Sequence, residues 1–432
     1  MLRPPLIALV LLLTGLFSCS NSRPKTEHPP PVTVLMSDTG DSSNLDRRIM
    51  SEFTRRTGIA IRVVPASESS SKRLNQEIAL LEHKSPAVDI FQVDTIWPGI
   101  VANYMIDLKD ALRSELSDEP REVVENATVN GRVVAAPFYV EYGMLYYRTD
   151  LLKRYGFARP PRTWDELEAQ SLRIQTGERM RSHSDFWGYV WQGADYEGLT
   201  CNALEWQSSQ GGGNLVEQDH TVRVDNPAAI RAFARAARWV GTISPPGVTA
   251  YLEEDSRNVW QSGRAAFLRN WSYVYPLAKK SAEVGDRFWI TPLPEGVNRH
   301  GSALGGWYLG IPKYTRHRSE AIAFVKYMTS REVQKERAIG AAFLPAIESL
   351  YRDPAVLNAG PFFQVIAEVP GRLVRRPSSL VGARYDLVSR AYAHGVHSIL
   401  TGNISPAEGA AAIESDIARL TGFAKRGNEE PQ

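Results

Sequence analysis

Residues 87–94 read AVDIFQVD, an apolar run of strand length that ends on a carboxylate, Asp94. A short β-branched and aromatic run of this kind predicts a buried strand. Upstream, IAIRVVP (59–65) and VTVLM (32–36) have the same character. Between the first two strands lies NLDRRIMSEFTRRTG, where Leu45, Ile49 and Phe53 recur every fourth residue and Gly58 closes the segment. That spacing predicts an amphipathic helix with a glycine stop. A second helix is expected over about 71–84. Strand, helix, strand, helix, strand at these intervals predicts an α/β unit with a mainly parallel sheet.

Further along, RVVAAPFYV (132–140) predicts another strand, which ends at Glu141. The helix-rich stretch from Leu151 to about Trp239 breaks at SQGGGNL (209–215), and SPPG (244–247) and TPLPEGVNRHG (291–301) are loops rich in Pro and Gly. LGGWYLGIP (304–312) returns to strand character, and SEAIAFVKYMTSREVQKERAIG predicts one helix with Ser319 as its N-cap and Gly340 at its end. NISPAEGAAAIESDIARL (403–420) predicts the closing helix.

The chain has 432 residues, too many for one ordinary domain, so two lobes are expected. Lys and Arg number 50 against 48 Asp and Glu, for a net charge of +2 without blocks of like charge. That balance argues against a nucleic-acid partner and against a membrane-binding basic patch. At the N-terminus, Arg3 precedes the apolar run Ile7–Leu13, which is too short to span a bilayer but suits a secretory signal. LFSC (16–19) resembles the bacterial lipoprotein signal, so residues 1–18 are expected to be removed and Cys19 lipidated. A polar, Pro-rich tether follows to residue 31. Cys201, the other cysteine, then has no disulfide partner and is expected to be a small buried apolar residue.

Several strings, in order, resemble the extracellular solute-binding proteins (family 1) of ABC importers, in the group that takes sugars. They are DIFQVDTIW (89–97), PFYVEYGMLYYRTDLLKRYG (137–156), PRTWDEL (161–167), YEGLTCNALEW (196–206), GRAAFLRNWSYVY (263–275) and LGGWYLGI (304–311). YEGLTCN and LRNW…LGGW look most like the trehalose/maltose-binding branch. The resemblance implies a type II periplasmic-binding-protein-like fold, with two α/β lobes, each a mainly parallel sheet flanked by helices, and three crossings near 137–142, 294–302 and 344–350. The N-lobe would be 32–138 plus 303–347 and the C-lobe 143–293 plus 351–432. It also implies a monomer exported to the cell envelope, with a sugar ligand, ABC permease subunits as partners, and no cofactor, metal or catalytic residue.

A neutral sugar presents hydroxyls around a ring whose faces are largely C–H, so its site needs flat aromatics beside carboxylate, amide and guanidinium groups. Asp94 and Glu141 each end a strand, and Tyr139 shares the parity of Glu141. Asp94 could equally cap the turn that follows it. The resemblance places Asp94, Glu141, Trp271 and Trp307 in the cleft; Tyr273 is a further stacking candidate, and Gly306 removes a side chain where backbone must come close. Arg376 matches a cleft arginine, with Arg375 as its competitor. Asn44 matches a polar position in the first strand–helix loop, although Leu45 stands where an acidic residue is expected. Lys72 and Arg73 are candidate cleft bases or members of a helix face. In FLRNWSYVYP (267–276), Phe267 and Tyr275 are expected to pack, while Arg269 and Asn270 order the turn that presents Trp271 and Tyr273. No G-x-S-x-G, H-E-x-x-H, C-x-x-C or P-loop is present. The rival readings are a secreted glycoside hydrolase using Asp94 and Glu141 as paired carboxylates, and a surface carbohydrate-adhesion lipoprotein.

Overall fold

The computed structural model describes residues 30–36, 42–66, 70–181, 183–297, 301–367 and 373–426. The signal segment, Cys19 and most of the tether lie outside the described residues. The N-terminal unit follows the expected order: β1 (Val32–Met36), α1 (Ser42–Thr57), β2 (Ile61–Pro65), α2 (Ser70–Glu82) and β3 (Ile90–Asp94). β1 pairs in parallel with β2 and with β3. Leu45, Ile49 and Phe53 bury one face of α1 against the sheet and the 318–341 helices, and Gly58 ends the helix with φ of 75°.

The strand Ser302–Gly310 joins this sheet beside β3, and Ala136–Tyr142 flanks it on its other side; both contacts are antiparallel. A second sheet has the order Phe288–Pro292, Met144–Arg148, Ala265–Asn270, Trp187–Val190. Only the last pair in it is parallel. The α/β architecture therefore stands, but the sheets are more mixed than the mainly parallel ones expected, and the second is largely antiparallel. Ala136–Tyr142 runs out of the first sheet and, after Gly143 alone, becomes Met144–Arg148 of the second. Ser302–Gly310 returns beside it, so the outgoing and incoming strands must run in opposite senses. At that crossing Ser302 Oγ donates to the Gly143 carbonyl at 2.7 Å.

Three local expectations change. The segment expected to be one helix is two, Arg318–Met328 and Arg331–Ala341, because Ser330 caps the second by accepting from Val333 N–H. His317, not Ser319, is the N-cap of the first. Gly340 lies inside the second helix, where a Cβ would come within 2.9 Å of Leu45, so its role is close packing. The 132–140 strand is interrupted: Arg132–Val133 pairs with Thr128–Val129, and the longer strand begins at Ala136. The closing helix, Pro406–Thr421, carries a Ser405–Glu408 capping box and ends at Gly422.

Candidate functional site

The junction of the two sheets gathers most of the expected residues. Trp307 lies opposite Asp94 on one side and opposite Tyr139 on the other, while Gly305 lies opposite Glu141. Directly opposed residues project from the same face. Asp94, Trp307, Tyr139 and Glu141 therefore share one face of the first sheet. All four keep partial exposure where the strands around them are buried. Asp94 Oδ1 accepts from the Ile96 N–H at 3.2 Å, so it also serves the turn as the sequence allowed.

Gly306 stands at φ of 118°, and a Cβ there would come within 2.4 Å of the Tyr139 carbonyl oxygen. The backbone that needs its bareness is the neighbouring strand. Gly305 makes room for an aromatic: a Cβ on it would meet the Trp271 ring at 3.1 Å. Trp271 thus reaches from the second sheet onto the first, beside Glu141.

Its mounting explains the charged pair in FLRNW. Arg269, fully buried, donates from Nε and Nη2 to the two Glu205 oxygens at 2.9 and 2.5 Å, and from Nη1 to Gln192 Oε1 at 3.0 Å. Its guanidinium lies 4.1 Å from the centroid of the Trp271 ring. Asn270 Oδ1 accepts from the Trp271 N–H at 2.8 Å, and Tyr146 donates its hydroxyl to the Trp271 carbonyl at 2.8 Å. The main chain carrying the ring is therefore fixed on both sides. Tyr273 donates its hydroxyl to Glu254 at 2.6 Å and stays half-buried. Phe267 is fully buried, and Tyr275 stacks on Phe362 with centroids 4.2 Å apart, so both are packing residues.

The two arginine candidates separate. Arg376 is buried and donates to Glu197 Oε1 and to the Leu304 carbonyl, each at 2.8 Å. Glu197 is itself held by the hydroxyls of Tyr385 and Ser389. Arg375 instead pairs with Glu125 at 2.8 Å, with both side chains partly exposed. Arg73, buried on α2, lies with its guanidinium 4.3 Å from the Trp307 ring centroid, and Trp97 meets the same ring edge-on at 5.7 Å. The side chain of Lys72 lies outside the described residues. Asn44 sits exposed in the first turn of α1, while Leu45 turns into the core; the acidic side chain nearby is Asp46, bound to Arg337 at 2.9 Å.

Electrostatics mark the carboxylates. Burial pushes Asp94 up to about 6 against the pull of Arg376. Burial, then the charges of Glu253 and Asp94, push Glu141 up to about 8, opposed by the Tyr273 main chain and Arg269. Arg269 is engaged by Glu205 and does not neutralise Glu141 fully. Glu253, Glu205, Glu197 and Gly305 were absent from the sequence-based set. Their partners lie far along the chain; the strings YEGLTCNALEW and LGGWYLGI contain Glu197, Glu205 and Gly305, while Glu253 lies in none of the quoted strings. Burial raises Cys201 to about 12, and it packs with Trp271 and Ala303 as a small apolar residue. Among the described residues, no group of three His, Cys, Asp or Glu is placed to hold a metal.

Residues 37–335 match the family described as bacterial extracellular solute-binding protein. A probable ABC transporter-binding protein of Deinococcus radiodurans is 37% identical over 418 residues, covering 96% of this chain and 98% of the relative. The chain belongs to the bacterial extracellular solute-binding protein family. The solved structure of maltose-bound MalE3 from T. maritima is similar to this solute-binding protein, with a TM-score of 0.82 and 32% identity. That likeness covers 90% of this chain and 99% of the other. A mannitol-binding protein of Pseudomonas aeruginosa is 25% identical, covering 74% of each chain. The type II periplasmic-binding-protein-like fold follows, and with it an exported binding component of an ABC importer.

Proposed function

We propose that this solute-binding protein captures a sugar, a disaccharide such as trehalose or maltose or a short oligosaccharide, between two lobes that close over it. The lobes would be 32–138 plus 303–347 and 143–293 plus 351–432, with hinges near 137–142, 294–302 and 344–350. The observation that carries the reading is the shared face of Asp94, Trp307, Tyr139 and Glu141, faced by Trp271 from the other sheet. Each tryptophan carries a guanidinium against its ring; Trp307 keeps partial exposure for the C–H face of a sugar, while Trp271, buried at 9% exposure against Cys201 and Ala303, would be uncovered as the lobes open. Asp94 and Glu141 accept from adjacent hydroxyls, Tyr273 adds stacking area, and Arg376 supports the carboxylate side. Asn44 would join only as a contact at the edge of the cleft.

On this reading the carboxylates hold hydroxyls and cleave nothing. The protein is anchored through lipid on Cys19, works as a monomer without cofactor, and docks its closed form on the permease. Maltose bound to T. maritima MalE3 supports the sugar class. Calorimetry against mono-, di- and oligosaccharides, with product analysis of each mixture, tests it. Binding at one site per chain without turnover is expected, and Trp271→Ala should abolish it while the fold stays intact. Hydrolysed glycosidic bonds, or full sugar affinity in Trp271→Ala, would overturn the reading.

A further inference from the structure

Two short helices meet across the cleft edge. Pro98–Val101 follows Asp94 and Trp97 on the first sheet's side. Ser378–Val381 follows Arg376 and leads, through the Gly382–Arg384 turn, into the long helix Tyr385–Leu400 of the second sheet's side. They touch at Gly99. A Cβ there would lie 2.2 Å from the Ser378 carbonyl oxygen, 3.0 Å from its carbon and 3.1 Å from Gly382 Cα. These are backbone atoms with no rotamer to yield.

Each segment satisfies its own backbone: the Ile100 and Val101 N–H groups donate to the Trp97 carbonyl, and those of Leu380 and Val381 to the Pro377 carbonyl. The contact between them is one of shape, which can separate without leaving those groups unpaired. Nearby, the Arg375–Glu125 ion pair spans the same edge. Val381 packs against both large cores.

We propose that the seating of Gly99 on Ser378 and Gly382 is the closure contact of the two lobes, and that the missing side chain at residue 99 is what permits full closure. The inference rests on the proposed capture by lobe closure. Both halves are tied to the cleft, one through Trp97 and Asp94, the other through Arg376, so a ligand that draws these together seats the contact. Gly99 is a positioning residue, distant from the sugar itself.

The test needs no ligand. In the full chain, Glu125→Cys with Arg375→Cys places two thiols across the edge, and a short bismaleimide traps whatever closed form is sampled. Peptide mass spectrometry reads the 125–375 linkage over time, with each of the two substitutions alone as control, the native Cys201 being buried. Adding Gly99→Val should slow linkage at least tenfold, and Gly99→Ala should give an intermediate rate. Melting midpoints should stay near that of the parent, since an alanine within a helical turn is locally favourable. Equal linkage rates in the three proteins would overturn the inference. So would a collapse of the melting midpoint in Gly99→Ala, which would mark the contact as fixed packing. Loss of sugar binding by the unmodified chain would instead count against the proposed function.

Discussion

Replacing Glu205 by Gln tests how the cleft is built. Glu205 takes two hydrogen bonds from Arg269 and a third from the Ala303 N–H at 3.0 Å, and both charged side chains are at 0% exposure. It therefore ties the strand behind Trp271 to the strand that re-enters the first sheet. The amide keeps the volume but removes the charge and turns an NH2 group toward the guanidinium. An uncompensated buried charge costs about 3–5 kcal/mol when its partner is removed. That is a large share of the roughly 5–15 kcal/mol that holds a typical protein folded. Urea unfolding, followed by circular dichroism and tryptophan fluorescence, should show a loss of this size. Glu205→Met combined with Arg269→Met should cost less than Glu205→Gln alone, because no charge is left stranded. The pair would be refuted as the mount of Trp271 if Glu205→Gln lay within about 1 kcal/mol of wild type by the same bookkeeping, or if the double change cost the sum of the single ones.

Two further outcomes follow from the site and the N-terminus. In the ligand-free protein the Glu141 carboxyl is raised to about 8, so the native state binds more protons than the unfolded chain between the ordinary glutamate range and that value. Stability should fall as pH rises through this window, and Glu141→Gln should flatten the trend in melting midpoint against pH. A sugar hydroxyl donating to the carboxylate favours its charged form, so affinity should rise from pH 6 toward pH 8.5 with proton release, seen by calorimetry in buffers of different ionisation enthalpy. Replacing Cys19 by Ser should move the protein from the membrane fraction to the soluble one, and unchanged membrane association would refute the anchor.

The parts of the fold that local pattern controls were legible in the sequence. β1 to β3 and the two helices between them follow from apolar runs and four-residue spacing, and their observed bounds differ little from those expected. Met144–Arg148 was not expected as a strand of its own, because a single glycine divides it from the strand taken to end at Glu141. The break between the 318–328 and 331–341 helices turned on one capping serine inside a continuous apolar pattern.

In the candidate site, Asp94, Tyr139, Glu141, Trp271 and Trp307 were visible at strand ends or in quoted strings. What holds them was not. Arg269 finds Glu205 64 positions away, and Arg376 finds Glu197 179 positions away, so nothing adjacent in sequence signals either pair. The choice between Arg376 and Arg375 likewise depends on tertiary partners. Asn44, expected at the cleft from the resemblance, sits exposed in the first turn of α1.

The most direct measurement is a crystal structure of the protein with the sugar that binds most tightly in the calorimetric panel. The expected result is an intact sugar between Trp271 and Trp307, with hydroxyls on Asp94 and Glu141 and the Gly99 contact seated. A sugar bound instead in the cavity of about 300 Å³ between Ser208–Gln218 and Leu373–Leu380 would contradict it, as would a cleaved glycosidic bond in the cleft.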